Sequence, residues 1–260
     1  GQPAAMDAVA AIARNHGLAV VADAAQAVGA RYADRGIGAW GDAVCLSFYP
    51  TKNLGACGDG GMVLTERDDV AERVRRLRHH GDGGRYRHLE LGYTARLDEL
   101  QAAILRVKLR HLGAWTEARR RIAGRYRTLL AGLPLGLPGE RPGARHVYHL
   151  YTVRHPQRDA LAKALADLGV GTAVHYPIPV PAQPMFGAPE ASLEVVRAAG
   201  RPRSRRRSAP EASLSESAER RWPEASRAAR EVLSLPCFAE LRDEEVEAVA
   251  AAVRRACERI

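Results

Sequence analysis

Ser47-Phe48-Tyr49-Pro50-Thr51-Lys52-Asn53-Leu54-Gly55 is followed within a few residues by Gly58-Asp59-Gly60-Gly61. The apolar run Ala43 to Phe48 predicts a strand, Pro50 breaks it, and the glycines turn the chain into a second strand, Met62 to Thr65. Lys52 therefore sits in a turn between two apolar strands. The other lysines of the chain, Lys108 and Lys163, fall within helical patterns and read as solvated. Burial in such a turn would lower the pKa of the Lys52 amine, as Schiff-base lysines require.

Upstream, Leu18 to Ala22 reads as a short buried strand that ends at Asp23, with Gln26 three residues later. An acid at the carboxyl end of a buried strand lies where α/β sheets present groups to ligands. Helix N-capping is the competing reading of Asp23, and local capping that of Gln26 and Ser47. Met6 to Asn15 and Asp68 to His79 read as helices. This alternation predicts α/β layering. Arg96 to roughly Ala131 is largely helical, with Leu97, Leu100, Ile104, Val107 and Leu112 at three- to five-residue spacing.

Residues 132–143 are rich in Gly and Pro and mark a joint between residues 1–131 and residues 144–260. Beyond it, Val147 to Val153 predicts a strand, Gln157 to Leu168 a helix, and Val170 to His175 a strand. Pro177, Pro179, Pro181 and Pro184 then break regular structure. Asp243 to Arg259 predicts an amphipathic helix with Asp243 as its N-cap.

The 260 residues are 46% hydrophobic and 27% charged, a globular composition. No run of about 18 apolar residues is present, which excludes a helical membrane span. Gly1-Gln2-Pro3-Ala4 carries no basic or apolar leader pattern, so no signal peptide is expected. Cys45, Cys57, Cys237 and Cys257 lack metal-ligand spacing, so no metal and a reduced, cytoplasmic setting are expected. The formal net charge is +9, and six arginines without an acid lie within 197–207. With Pro, Ser, Ala and Gly around it, this run reads as a solvated, disordered insertion within 187–221.

Asp23-Ala24-Ala25-Gln26-Ala27, Gly41-Asp42, the Lys52 string and Gly58-Asp59-Gly60-Gly61 together resemble the DegT/DnrJ/EryC1/StrS aminotransferases. Arg96-Leu97-Asp98-Glu99-Leu100-Gln101-Ala102-Ala103, His175-Tyr176-Pro177 and Val232-Leu233-Ser234-Leu235-Pro236 extend the resemblance in the same order. It implies an α/β fold: part of a fold-type-I aminotransferase large domain, with a mixed and mainly parallel sheet, plus a C-terminal α/β small domain. It also implies pyridoxal 5'-phosphate as cofactor, a nucleotide-linked keto-sugar as substrate, glutamate or glutamine as amino donor, and a homodimer in the full-length form. Lys52 is implied to bind the cofactor aldehyde and then to act as the proton-transferring base. Asp23 is implied to pair with the pyridine nitrogen, Gln26 with the ring hydroxyl oxygen and Ser47 with the phosphate. Thr94, Arg96 and His175 are implied substrate or partner-subunit contacts. His175 reads equally as a structural histidine. His79, His80 and His88 are given no catalytic role.

Two departures from the family stand out. Thr94 replaces the usual asparagine and shortens its reach. Gly1-Gln2-Pro3-Ala4 matches a point well inside the large domain, so the usual N-terminal third, with its phosphate loop and ring-stacking aromatic residue, is expected to be missing and an apolar sheet edge to be exposed. Retained Lys52 argues against the dehydratase branch, which carries histidine there. Thr51 argues against cysteine desulfurases, which place histidine before the lysine. A catalytically incomplete fragment is the first alternative. Binding of an anion or nucleic acid through 197–207 is the second, with nucleic acid the less favoured partner. Under it, binding weakens steeply with salt, and binding that survives deletion of 197–207 excludes it.

Overall fold

Gly17 closes the first helix and launches the first strand. In the computed structural model, which describes residues 1–186 and 220–260, helix α1 spans Met6–His16. Gly17 adopts φ +61°, a left-handed conformation that glycine enters without a Cβ penalty. Its N–H reaches Arg14 and the Leu18 N–H reaches the Ala13 carbonyl at 2.8 Å, the paired bonds of a Schellman cap. Strand β1 (Val21–Asp23) follows.

Strands β2 (Arg31–Tyr32) and β3 (Arg35–Gly36) form a short hairpin. Strands β4 (Ala43–Ser47) and β5 (Gly61–Leu64) flank the Lys52 loop. β4 lies between β1, to which it is parallel, and β5, to which it is antiparallel. The sheet is thus mixed. Ala22, Val44, Leu46 and Leu64 share one face and pack with Ala24, Ala27, Ala30, Ile37 and Val147. Side chains alternate across a strand, so Asp23, Cys45 and Ser47 take the opposite face. β1 has β4 as its one neighbour among the described residues. Its apolar run is therefore not buried as expected: Val21 is 68% exposed.

Helices α2 (Asp68–Leu77), α3 (Glu99–Leu109) and α4 (Leu112–Leu129) come next. Strand β6 (Ala144–Arg145) returns to pair with β2. Strand β7 (Tyr151–Arg154), helix α5 (Arg158–Asp167), helix α6 (Pro223–Glu231), strand β8 (Val232–Leu235) and helix α7 (Asp243–Cys257) complete the described α-helices and strands. The arginine run at 197–207 lies outside the described residues.

Three readings of the sequence change. The strand predicted at Val147 to Val153 begins only at Tyr151, because Tyr148 takes φ +42° and its N–H bonds His146 Nδ1 at 2.8 Å. The strand predicted at Val170 to His175 is reduced to one bridge, Ala173 with Ser234. Asp243 is the first residue of α7 rather than its cap. The capping contact comes from Glu245, whose carboxylate accepts the Arg242 N–H at 2.8 Å.

The chain forms two compact units that interleave in sequence. The first holds Gly1–Tyr126, Gly139–Leu150 and Cys237–Val246. The second holds Arg127–Pro138, the described part of Tyr151–Pro236, and Glu247–Ile260. A single joint at 132–143 therefore differs from this division, since 139–150 comes back to the first unit through β6 and Val147. In the second unit, β7 and β8 pair antiparallel, and Tyr151, Val153, Leu233, Leu235, Leu161 and Leu165 are buried. Buried Arg158 donates through Nη1 to the Ala229 and Val232 carbonyls at 3.2 and 3.0 Å. Those are carbonyls that the end of α6 leaves without helical partners.

Leu161 is fully buried and Ile12 is 59% exposed. Leu161→Ala is expected to cost about 2–5 kcal/mol through lost transfer energy and a residual cavity. Ile12→Ala should stay within about 0.5 kcal/mol. Urea unfolding of the two variants checks the contrast.

Candidate active site

The Lys52 loop closes on its own backbone. The Phe48 N–H bonds the Gly60 carbonyl at 2.8 Å, and the Ala56 N–H bonds the Phe48 carbonyl at 2.8 Å. Residues 49–55 are thereby pinched off as an excursion from the β4–β5 pair. Within it, the Lys52 N–H reaches the Tyr49 carbonyl at 2.8 Å. This is a β-turn with Pro50 at its second position, where the fixed proline φ is favourable. Gly55 must be glycine: a Cβ there would collide with the Pro50 carbonyl. Phe48, Leu54 and Ala56 are buried against Leu105 of α3 and Leu112 of α4. The excursion is therefore a packed loop, and Lys52 on it is half-buried.

Asn53, next to Lys52, is the anchor that sequence reasoning did not assign. Its Nδ2 donates to the Val147 carbonyl at 3.0 Å, and its Oδ1 lies 3.1 Å from His149 Nδ1. Two arginines of α4 hold this acceptor segment. Arg119 Nη1 donates to the carbonyls of Tyr148, at 3.2 Å, His149, at 3.3 Å, and Cys237. Arg120 bonds the His146 carbonyl at 2.8 Å and the Glu140 carboxylate at 2.6 Å.

Asp23 ends β1 and is exposed, and it pairs in register with Cys45 of β4. No helix follows it, which removes the N-cap reading. Its Oδ1 instead accepts the Ala25 N–H at 3.0 Å and shapes the turn that carries half-buried Gln26. Ser47 closes β4, and its Oγ accepts the Tyr49 N–H at 3.3 Å. Asp23 and Ser47 thus lie on one sheet face at the carboxyl ends of two parallel strands. Strand spacing puts their Cα atoms about 8 Å apart. The Lys52 amine and the Gln26 amide make no side-chain hydrogen bond among the described residues. A carboxylate suits the ring nitrogen of an aromatic aldehyde phosphate, an amide its ring hydroxyl, a hydroxyl its phosphate and an amine its aldehyde. The residues present fit such a group.

Thr94, Arg96 and His175 are placed differently. Thr94 is exposed, with Oγ1 3.3 Å from His80 Nδ1. Arg96 is exposed and makes no hydrogen bond or ion pair among the described residues. His175 belongs to the second unit, where its Nδ1 lies 3.0 Å from the buried Ser234 Oγ, itself 3.2 Å from Thr152 Oγ1. Lys108 departs from its solvated reading: its ammonium donates to the Gly55 carbonyl. Lys163 is exposed. Among the described residues no group of three His, Cys, Asp or Glu side chains is placed to hold a metal. None of their helices is long and apolar enough to cross a membrane.

This sheet, with an acid and a lysine-bearing loop at the carboxyl ends of its strands, is the architecture of the fold-type-I aminotransferases. A family model, the DegT/DnrJ/EryC1/StrS aminotransferase family, matches residues 1–199, and the chain belongs to that family. It is 42% identical over 255 residues to a UDP-N-acetyl-3-dehydro-alpha-D-glucosamine 3-aminotransferase of Acidithiobacillus ferrooxidans, covering 98% of this chain and 62% of that protein. It is 44% identical over 261 residues to a dTDP-3-amino-3,4,6-trideoxy-alpha-D-glucose transaminase of Streptomyces venezuelae, covering 100% and 62%. It also resembles the crystal structure of S. venezuelae DesV in complex with a ketimine intermediate. There the TM-score is 0.82 and the identity 43%, over 99% of this chain and 63% of that one. The chain thus spans about three fifths of the length of these relatives.

His146 supplies a pH test of the segment that anchors the site. Its Nδ1 accepts the Tyr148 N–H, which requires the neutral ring, and the ring stacks on Tyr148 with centroids 4.0 Å apart. Burial, and then the nearby Gly1 amine, lower its pKa from 6.5 to about 4. The unfolded chain therefore takes up this proton at a higher pH than the folded one. The histidine's stabilising contribution is present above pH 6.5 and is lost as pH falls from about 6.5 through about 4. His146→Asn keeps an acceptor and removes the titration. Its melting temperature should fall less than wild type between pH 7 and pH 4.5, as circular dichroism would show.

Proposed function

We propose that the protein transfers an amino group from glutamate or glutamine to a nucleotide-linked keto-sugar, with pyridoxal 5'-phosphate as cofactor. The observation that carries this reading is the placement of Lys52. Its turn is closed by its own backbone, is anchored through Asn53 and leaves β4 directly after Ser47, the strand paired in parallel with the one that ends at Asp23. The relatives' names, which specify UDP- and dTDP-linked sugars, support the substrate class. A structural neighbour described with bound cofactor PMP, at 26% identity and TM-score 0.76, supports the cofactor.

Each residue has a task in this proposal. Asp23 binds the pyridine nitrogen and keeps it protonated. Gln26 donates to the ring hydroxyl oxygen, and Ser47 donates to the phosphate. When bound, the cofactor supplies an electron sink for the carbon that loses its proton. Lys52 Nζ would hold the cofactor at its aldehyde carbon and, once displaced by the amino donor, would carry the proton between the nitrogen-bearing substrate carbon and that cofactor carbon. Thr94, Arg96 and His175 are the proposed contacts to substrate or to a second copy, Thr94 with the shorter reach and His175 equally suited to its structural bond with Ser234. Tyr86, Leu91 and Tyr93 share the segment before Arg96 and are 94%, 97% and 71% exposed. Such exposed apolar side chains support homodimerisation. Residues 1–131 are proposed as the C-terminal part of the cofactor-binding large domain with its connecting helix, and residues 144–260 as the small domain. Four free cysteines support action in the cytoplasm.

Mixing the chain with pyridoxal 5'-phosphate should produce a visible absorption band, and borohydride should then fix the cofactor to Lys52, as peptide mass spectrometry would locate. Lys52→Ala should lack the band. A band that persists in the variant, or label found on Lys108 or Lys163, would overturn the assignment.

A further inference from the structure

The loop that carries Lys52 has backbone groups that no strand can satisfy. Phe48, Tyr49 and Gly60 give their carbonyls to N–H groups of the loop itself. The carbonyl of buried Gly55 and the N–H of Cys57 are instead met by side chains of α3. Lys108 Nζ donates to the Gly55 carbonyl, and Gln101 Oε1 accepts the Cys57 N–H at 2.8 Å. Between them, Leu105 is buried against Phe48, Leu54 and Ala56. Residues 101, 105 and 108 recur at helical spacing on one face of α3. The approach is close: a Cβ on Gly58 would stand 3.2 Å from Gln101 Nε2.

We propose that this face of α3 is a clamp that positions Lys52, and that Lys108 is its principal positioning residue. It rests on the role proposed for Lys52. The physical case is the cost of a buried carbonyl without a donor. Gly55 lies where the loop folds back on Pro50, so closely that a Cβ would collide with the Pro50 carbonyl, and its own carbonyl is buried with it. An ammonium on a four-carbon stem can reach that point from α3, and its charge strengthens the bond. Asn53 pins the loop from the other side. The backbone on either side of Lys52 is thereby tied at Asn53 and at Gly55, and neither tie needs the cofactor to be present.

The chain's three lysines allow a direct test without cofactor. Competitive acetylation with trace acetic anhydride, read by peptide mass spectrometry, reports each amine, and exposed Lys163 is the internal reference. In the wild type, Lys108 should react at least fivefold more slowly than Lys163. Lys108→Met keeps the stem and removes the donor. It should raise Lys52 acetylation relative to Lys163 at least twofold and speed amide exchange in 50–60, with exchange in 43–47 unchanged. Lys108→Arg, which retains a donor, should restore both. Gln101→Leu should loosen 50–60 in the same way while Lys108 stays slow, and it carries the test if Lys108→Met does not fold. Lys108 reacting as fast as Lys163, an unchanged Lys52 in Lys108→Met, or no rescue by Lys108→Arg would each overturn the clamp. Failure of cofactor binding at Lys52 would overturn the function proposed for that lysine and leave these readouts intact.

Discussion

Val147 links the turn after Asp23 to the loop that carries Lys52. Its side chain, wholly buried, packs in the cluster that contains Ala24, the residue after Asp23. Its carbonyl accepts the Asn53 amide, the residue after Lys52. One residue thus ties the turn that bears the acid to the loop that bears the amine. The first tie is hydrophobic and tolerates small shifts. The second is a directed bond of 3.0 Å, and direction is what fixes a loop. Arg119 and Arg120 hold the carbonyls on either side of Val147, so the acceptor is itself constrained.

The sheet determines what those ties can accomplish. β1 and β4 run parallel, so Asp23 and Ser47 emerge at the same end. Alternation then puts them on the same face, away from the packed side of Ala22, Val44 and Leu46. An acid and a hydroxyl separated by more than twenty residues become neighbours through strand direction and register alone. The lysine needs more, because it lies on an excursion outside the ladder. That excursion is stable because it buries Phe48, Leu54 and Ala56 and because glycine at 55 lets the backbone close on itself.

The strand-turn-strand around Lys52 was legible because Pro50, the glycines and the apolar runs are local signals. Helix α1 was legible for the same reason, its apolar residues and Gly17 cap lying within a dozen positions. What escaped was decided by distant partners. Lys108 sits in a helical pattern, and nothing nearby shows that the Gly55 carbonyl, 53 residues away, lies in front of it. Val147 to Val153 has the composition of a strand. A left-handed Tyr148 and the bond to His146 break it, and its first residues serve the unit that begins at Gly1. Asp23 was read as following a buried strand. Burial depends on neighbouring strands, and β1 has β4 alone among those described.

Arginine and lysine differ in what each side chain can hold. Arg119 meets three carbonyls from two chain segments with one guanidinium nitrogen. Buried Arg158 meets two carbonyls at the end of α6 and the carboxylate of Asp159. Arg120 joins a carboxylate to a carbonyl. A planar fork with five donors serves several acceptors at once and keeps its charge at any pH the fold meets. These three arginines are braces, and their charge is spent on carbonyls and carboxylates of the fold itself. An ammonium is a point donor whose charge can be withdrawn, which suits it to reach one carbonyl, as at Lys108, or to exchange a proton, as proposed at Lys52.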